Sequence, residues 1–179
     1  NKGLDTNKIE KLGEAKLTLG ENLNIKNFKN LDVKAGTLEI SKNIPIENVN
    51  VDTNTKLNVN NTTDIEMTSN IKGAGDIVKL GAGKLSIASS KLNSEGNIDL
   101  QAGELSVTGD KVLSNKVKGS ADLTFKNSNV EVKDIENFSG NLNLENSTLT
   151  LKEDKSLNTD TKITGKASSN IKLDLTSDK

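Results

Sequence analysis

The chain lacks several of the side chains on which proteins commonly build chemistry. Its 179 residues include no cysteine, histidine, tyrosine or tryptophan, only one proline and only three phenylalanines. Without cysteine it can form neither a disulfide nor a thiolate metal site. Without histidine and cysteine, the commonest general base and the commonest thiol nucleophile are missing. The composition therefore favours a non-enzymatic function, and it predicts no catalytic residue and no cofactor.

The charged residues argue against nucleic acid as a partner. The chain has 24 basic residues, all of them lysine, and 25 acidic residues, which gives a net charge of −1. Because both signs are interspersed, no basic patch forms that would attract nucleic acid or an anionic membrane. The absence of arginine also removes the side chain best suited to bidentate binding of phosphate. No apolar run reaches the roughly 20 residues that a membrane-spanning helix needs.

What the chain does have is an apolar-x-apolar triplet that returns about every seven residues. Every third triplet belongs to one column, and each column repeats about every 21 residues. The first column starts at Leu17, Leu38, Leu57, Val78, Ile98, Leu123, Leu142 and Ile163, and the second at Leu23, Ile44, Ile65, Leu85, Leu105, Val130, Leu149 and Ile171. A fixed period of this length is typical of a solenoid, in which a chain with only 32% hydrophobic residues can still fill a narrow core.

The alternation within each triplet predicts short strands with one buried and one solvated face. The middle residue is polar in most triplets, and Lys79 is one of those expected to face solvent. An antiparallel meander is the alternative, but triplets about 21 residues apart resemble each other more closely than consecutive triplets do. Like strands should therefore stack in parallel. We predict an all-β, right-handed parallel β-helix of about 8 coils of about 21 residues, with three short strands per coil.

Three irregularities stand out along the chain. A third column is looser, and the step from Ile98 to Leu123 in the first column is longer than the others by about four residues, which predicts a loop insertion over residues 108–122. Residues 1–16 fit a partial first coil. We therefore expect residues 1–179 to form a single β-helix segment cut from a longer array.

One stretch resembles a known repeat. Residues 81–109, GAGKLSIASSKLNSEGNIDLQAGELSVTG, are similar to the passenger-associated transport repeat of bacterial autotransporters. The matching residues, in order, are Gly81, Gly83, Leu85, Ile87, Gly96, Ile98, Leu100, Gly103, Leu105 and Val107. The usual aromatic residue of the central loop is missing, and Leu92 stands there. Two-partner-secreted haemagglutinin-like proteins share the physics of such coils.

The resemblance implies a type V autotransporter passenger. A passenger of this kind would cross the outer membrane with the help of an outer-membrane β-barrel of the same full-length chain, and would be displayed on the bacterial cell surface or secreted. It would act as an adhesin or an adhesin stem, and its partner would be a protein or glycan receptor on a host cell or another bacterium. The alternatives are a segment of a secreted toxin of the vacuolating kind or of a glycan-active surface enzyme.

Candidate site residues are few. Loops on a regular scaffold usually carry recognition, so the predicted insertion is the best candidate for ligand contact. Lys111, Lys116 and Lys118 make it locally basic, which would favour an acidic ligand. The chain contains neither the calcium-binding nonapeptide repeat nor an EF-hand loop, and we predict no metal site.

Overall fold

Short strands make up most of the structure. The structure is a computed structural model that describes residues 7–19, 28–152 and 157–174. Within those ranges it contains twenty strands, one 3-10 helix and no α-helix. The strands are β1 (Lys8–Lys11), β2 (Lys16–Leu19), β3 (Asn30–Val33), β4 (Thr37–Ile40), β5 (Asn48–Val51), β6 (Lys56–Val59), β7 (Ile65–Met67), β8 (Asn70–Gly73), β9 (Asp76–Lys79), β10 (Lys84–Ala88), β11 (Leu92–Ser94), β12 (Ile98–Leu100), β13 (Glu104–Thr108), β14 (Lys111–Gly119), β15 (Asp122–Lys126), β16 (Asn129–Phe138), β17 (Asn141–Glu145), β18 (Thr148–Lys152), β19 (Lys162–Lys166) and β20 (Asn170–Asp174), and the 3-10 helix covers Ser89–Lys91.

The strands form three sheets, and the pairs within each sheet are parallel. Sheet A has the order β1-β3-β5-β8-β11, sheet B has the order β2-β4-β6-β9-β12-β14-β16-β18-β20, and sheet C has the order β19-β17-β15-β13-β10-β7. This arrangement confirms the predicted all-β parallel solenoid, which has about 8 turns of about 20 residues. Its predicted right-handedness stays a prediction.

The core is a column of stacked aliphatic side chains. In sheet B, Leu38 pairs with Leu57, and Leu57 pairs with Ile77 one turn further on. In sheet C, Leu105 pairs with Leu85 below it and Leu123 above it. These side chains are almost completely buried. Because each inward residue packs on its equivalents in the neighbouring turns, the few apolar residues of the chain suffice for a continuous core.

The predicted insertion at residues 108–122 is wrong, because most of it forms strand β14. Ile98 pairs with Val117, not with Leu123, and Leu123 pairs with Leu105. The two sequence columns therefore exchange sheets at this point: the first column continues in sheet C, and the second continues in sheet B. Since both columns consist of similar aliphatic residues, following one of them across the exchange created an apparently long step.

The strands β14 and β16 each span two faces of the solenoid. Residues 117–119 of β14 pair with β12 in sheet B, whereas residues 111–113 pair with residues 130–132 of β16. The same part of β16 pairs with β18, and β18 pairs with β20. In the earlier turns a sheet A strand follows each sheet C strand. The first halves of β14 and β16 take that place in the later turns.

A second correction concerns the register of β9. The first column placed Val78 inward and Lys79 in solvent, but Ile77 is the residue that pairs with Leu57 and Ile98. Lys79 consequently points inward and is 0% exposed. The one-residue shift exchanges the two faces of the strand, because side chains alternate along it.

The single proline lies where sheet C stops on its N-terminal side. The second column predicted a strand at Ile44, but residues 44–46 form no strand, and the Ile46 amide donates to the Ile44 carbonyl at 2.8 Å across Pro45. Proline has no N–H to donate to a ladder. Ile44 and Ile46 are nevertheless buried. The tight turn keeps both side chains in the core and leaves β7 as the first strand of sheet C. Leu23, in the same column, lies outside the described residues.

The corner residues that directly follow three successive strands of sheet C, β15, β17 and β19, have left-handed backbone conformations. Asn127, Asn146 and Ala167 have φ values of 48°, 49° and 56°. The Asn146 side-chain amide donates to the Asn127 Oδ1 at 3.0 Å. Asparagine tolerates this conformation, whereas alanine adopts it at a cost. Ala167 is therefore the strained member of the stack.

We expect Ala167→Asn to stabilise the solenoid. Asparagine relieves the strain of the left-handed conformation and can extend the amide stack from Asn146, so the free energy of unfolding should rise by about 1 kcal/mol. Urea denaturation would measure the change. The control is Ser168→Asn, at the next exposed residue, which has no positive φ. Equal stabilities of Ala167→Asn and the parent chain would contradict the argument.

Candidate ligand-contact surface and interior polar groups

The structure does not bring the three candidate lysines together into a basic patch. Lys116 and Lys118 alternate with inward residues on β14 and face outward. The Lys116 ammonium lies 3.8 Å from the Asp134 carboxylate, and the Lys118 ammonium lies 3.5 Å from the Asp99 carboxylate. Each positive charge therefore has an acidic neighbour on an adjacent strand, which weakens its attraction for an acidic ligand.

Lys111 points the other way, into the solenoid. It pairs with the buried Val130 in the inward row. Its ammonium donates to the Leu92 carbonyl and, at 3.4 Å, to the Ser89 carbonyl. Burial lowers the pKa of Lys111. Whether any of the three lysines contacts a ligand stays a prediction, but Lys111 is not free on the surface to do so.

A shallow cleft lies beside this segment, next to β14, β16 and β18. Its volume is about 470 Å³, and its lining residues are Asp110, Lys111, Val112, Asn129, Val130, Glu131 and Thr150. Asp110 accepts hydrogen bonds from the Asn129 backbone amide at 2.7 Å and from its side chain at 3.3 Å. Val112 is 53% exposed. The cleft offers carboxylate, amide, hydroxyl and aliphatic groups, a mixture that permits hydrogen bonding and apolar contact without specifying one ligand.

The apolar residues of the transport-repeat match are core residues. Leu85 pairs with Leu105, and Ile87 pairs with Val107, in sheet C. Ile98 and Leu100 lie in β12 of sheet B and are buried. The apolar part of the motif therefore supplies two strands of sheet C and one strand of sheet B.

The glycines of the match lie where successive turns approach each other closely at the corners. A Cβ atom on Gly81 would lie 1.9 Å from the Asn61 carbonyl oxygen, and one on Gly96 would lie 2.0 Å from the Gly75 carbonyl oxygen. A Cβ atom on Gly83 or on Gly103 would lie 2.4 Å from a backbone carbonyl oxygen. No side chain fits at these distances, so the motif spacing reflects stacking at the corners.

Interior lysines are the polar groups that sequence reasoning missed. The Lys79 ammonium donates to the Gly81 carbonyl and, at 3.3 Å, to the Ala102 carbonyl. The Lys11 ammonium donates to the Gly13 carbonyl at 2.5 Å and to the Ala35 carbonyl at 2.7 Å. Each of these lysines ends a strand two residues after an apolar residue. That alternation was the available signal that they point inward.

Burial lowers the pKa of Lys79, and the nearby charge of Asp64 opposes the change. Both interior ammonium groups are bonded to backbone carbonyls at the corners, where the chain leaves one sheet and has no ladder partner. A buried backbone carbonyl needs a donor, and the lysines supply it. Their arrangement therefore accounts for corner stability, with no need of a bound ligand.

Interior amides and hydroxyls do the same at other corners. The Asn61 side-chain amide donates to the Thr63 carbonyl at 2.7 Å and to the Lys84 carbonyl at 3.0 Å. The Ser147 Oγ lies 3.0 and 2.9 Å from the Phe125 and Glu145 carbonyl oxygens, either of which can accept its one proton. Asn61 is completely buried, and its Oδ1 has no hydrogen-bond partner. These contacts fix how each turn sits on its neighbour.

The exterior carries ladders of polar side chains between turns. In sheet A, the Asn48 amide donates to the Asn30 Oδ1 at 3.1 Å, and the Asn70 amide donates to the Asn48 Oδ1 at 3.2 Å. In sheet C, the hydrogen bond between Lys126 and Glu145 raises the pKa of the lysine and lowers that of the carboxyl. Adjacent turns are thus linked outside the core as well as within it.

Residues 7–19, 28–152 and 157–174 contain no group of three or more histidine, cysteine, aspartate or glutamate side chains placed to hold a metal ion. In the same ranges no helix has the length and apolar character needed to cross a membrane.

The fold defines the class of the protein as a parallel β-solenoid with polar corners. Comparison of the chain with protein-family models, curated proteins and solved structures gave no match.

Proposed function

We propose that the chain is a segment of an autotransporter passenger that works without enzymatic activity as a surface adhesin or an adhesin stem. The solenoid would be displayed on the outer membrane or secreted. Its outer-membrane β-barrel would belong to the same full-length chain, and its partner would be a protein or glycan receptor on another cell surface. The proposal rests on the transport-repeat resemblance of residues 81–109.

The observation that best supports a scaffold is the continuity of sheets B and C through successive turns. Sheet B runs through nine strands and sheet C through six. A column of parallel strands with a packed core is stiff and extended, because each turn contacts mainly its neighbours. Such a rod suits the separation of a binding surface from the cell that carries it.

Binding of the folded, labelled chain to panels of host cells and bacteria tests the proposal. An adhesive segment should bind saturably, and unlabelled chain should compete. A β-solenoid of similar net charge from an unrelated protein serves as the control. Binding equal to that of the control would remove the adhesive role from these residues and leave only the stem.

A double variant tests whether β14 forms the contact. Lys116→Ser with Lys118→Ser changes two outward residues, while Lys111 is kept because it bonds corner carbonyls. We expect weaker attachment and an unchanged fold. The matched control is Lys16→Ser with Lys56→Ser, two exposed lysines on sheet B in earlier turns. Equal attachment of both double variants would place the contact elsewhere.

A further inference from the structure

Sheet A is interrupted between two adjacent turns. From β1 to β11 each of its strands pairs with the next through backbone hydrogen bonds. The next strand in that position of the turn is the first half of β14, and it pairs with β16 but not with β11. The edge of β11 that faces the following turn, called its upper edge below, therefore pairs with no strand. We call this interruption, between residues 89–96 and residues 111–115, the seam.

Side chains replace the missing ladder across the seam. The Asn115 amide donates to the Ser94 carbonyl at 2.9 Å and to the Gly96 carbonyl at 2.6 Å. The Lys111 ammonium donates to the Leu92 and Ser89 carbonyls. Both side chains approach from inside the solenoid. The carbonyls of Leu92, Ser94 and Gly96 thus accept from two side chains of the next turn, whereas the Ser89 carbonyl also accepts from the Leu92 backbone N–H of its own turn.

The other two faces remain continuous at the same level. In sheet C, β10 and β13 pair over five residues. In sheet B, β12 and β14 pair over three residues. The discontinuity is therefore confined to one side of the rod.

The chain just before β11 is also weakly anchored. The 3-10 helix at residues 89–91 begins without a side-chain cap and contains no buried residue. The Ser94 hydroxyl is buried without a hydrogen-bond partner. Segments with few buried contacts and few ladder bonds open at lower free energy than the surrounding structure.

We propose that the seam is a joint at which the solenoid opens on one face while sheets B and C hold the turns together. Opening releases residues 89–96 from Lys111 and Asn115 and exposes the upper edge of β11. Leu92, which is buried, closes the joint again when it returns to the core. A rod with such a joint bends at one fixed level.

Hydrogen exchange of the full chain, followed by mass spectrometry, tests this proposal. Amides of residues 89–96 should exchange at least about tenfold faster than those of β8, which lies on the same face with ladders on both edges. Lys111→Met and Asn115→Ala should accelerate exchange in residues 89–96 and leave β8 and β17 unchanged. The matched control is Lys118→Met, an outward lysine of the same strand.

Two results would overturn the joint. One is protection of residues 89–96 equal to that of β8 in the parent chain. The other is uniform acceleration across the chain in the Lys111 and Asn115 variants, because it would indicate ordinary global destabilisation.

A cysteine pair gives an independent measurement, since the chain has no cysteine of its own. Asn93 and Ser114 are both exposed. Each directly precedes one partner of the hydrogen bond across the seam between the Asn115 amide and the Ser94 carbonyl. After oxidation, the Asn93→Cys, Ser114→Cys variant should show slow exchange in residues 89–96, and reduction should restore fast exchange. The same rapid exchange in both redox forms would reject opening at the seam.

Discussion

Leu142→Asp is expected to abolish cooperative folding of the later turns. Leu142 is 0% exposed and lies in sheet C between Leu123 and Ile163. Burying a carboxylate there without a partner costs several kcal/mol, which is comparable with the total stability of an ordinary domain. The variant should lose its β circular-dichroism signal or unfold at a much lower urea concentration than the parent chain.

The neighbouring residue provides the matched control. Asn143 lies on the same strand, β17, but faces outward between Thr124 and Thr164. Asn143→Asp introduces the same charge on the outer face and loses only the 3.4 Å hydrogen bond from the Asn143 amide to the Thr124 hydroxyl, so the free energy of unfolding should fall by about 1 kcal/mol or less. If both variants were equally stable, the inward and outward assignments of β17 would be wrong.

Gly81→Ala is expected to destabilise the solenoid strongly, because Gly81 has the closest approach to a neighbouring turn among the glycines of the described residues. The new Cβ would lie 1.9 Å from the Asn61 carbonyl oxygen and 2.4 Å from its backbone nitrogen. Neither atom can move away without shifting a whole turn, so we expect the free energy of unfolding to fall by about 3 kcal/mol. Urea denaturation would measure it.

Gly165→Ala adds the same methyl group where there is room. The nearest atom to its Cβ would be the Ser169 Cβ at 3.4 Å, and Gly165 has no positive φ. We expect a change of about 0.5 kcal/mol or less. Equal losses in the two glycine variants would mean that the close corner approach at Gly81 is not what makes glycine necessary there.

The period of the sequence predicted the fold because stacking imposes it. Leu85 and Leu105 are one turn apart in both the pattern and the structure. The same pattern could not locate the exchange of columns near residue 100. There the turns shorten to 18 or 19 residues, as the pairs of Leu105 with Leu123 and Ile98 with Val117 demonstrate. Since the columns have the same chemistry, hydrophobicity alone does not distinguish a short turn from an insertion.

The register of β9 was mispredicted for a different reason. Residues 77–80, Ile-Val-Lys-Leu, offer two overlapping alternations, and the apolar one is Val78 with Leu80. The structure adopts the other, with Lys79 inward. With Lys79 inward, its ammonium donates to the Gly81 carbonyl of the same turn and to the Ala102 carbonyl of the next turn, and the second acceptor is present only after the turns have stacked.

The candidate lysines were grouped because sequence analysis counted their charges and treated the segment as a loop. Once residues 111–119 are known to form a strand, alternation separates Lys111 from Lys116 and Lys118. The pairing of Lys116 with Asp134 and of Lys118 with Asp99 could not be predicted, because it depends on which strands become neighbours.

The direction in which interior side chains donate bears on the order in which the turns assemble. Lys79 obtains its Ala102 acceptor, and Asn61 its Lys84 acceptor, from chain that follows by 23 residues. Lys111 and Asn115 donate to chain that precedes them. A nascent chain ending before Ala102 would enclose the Lys79 ammonium with one of its two carbonyls missing. The Lys79 and Asn61 donors therefore gain all their acceptors only after the next turn arrives, whereas Lys111 and Asn115 find theirs as the turn containing β14 docks.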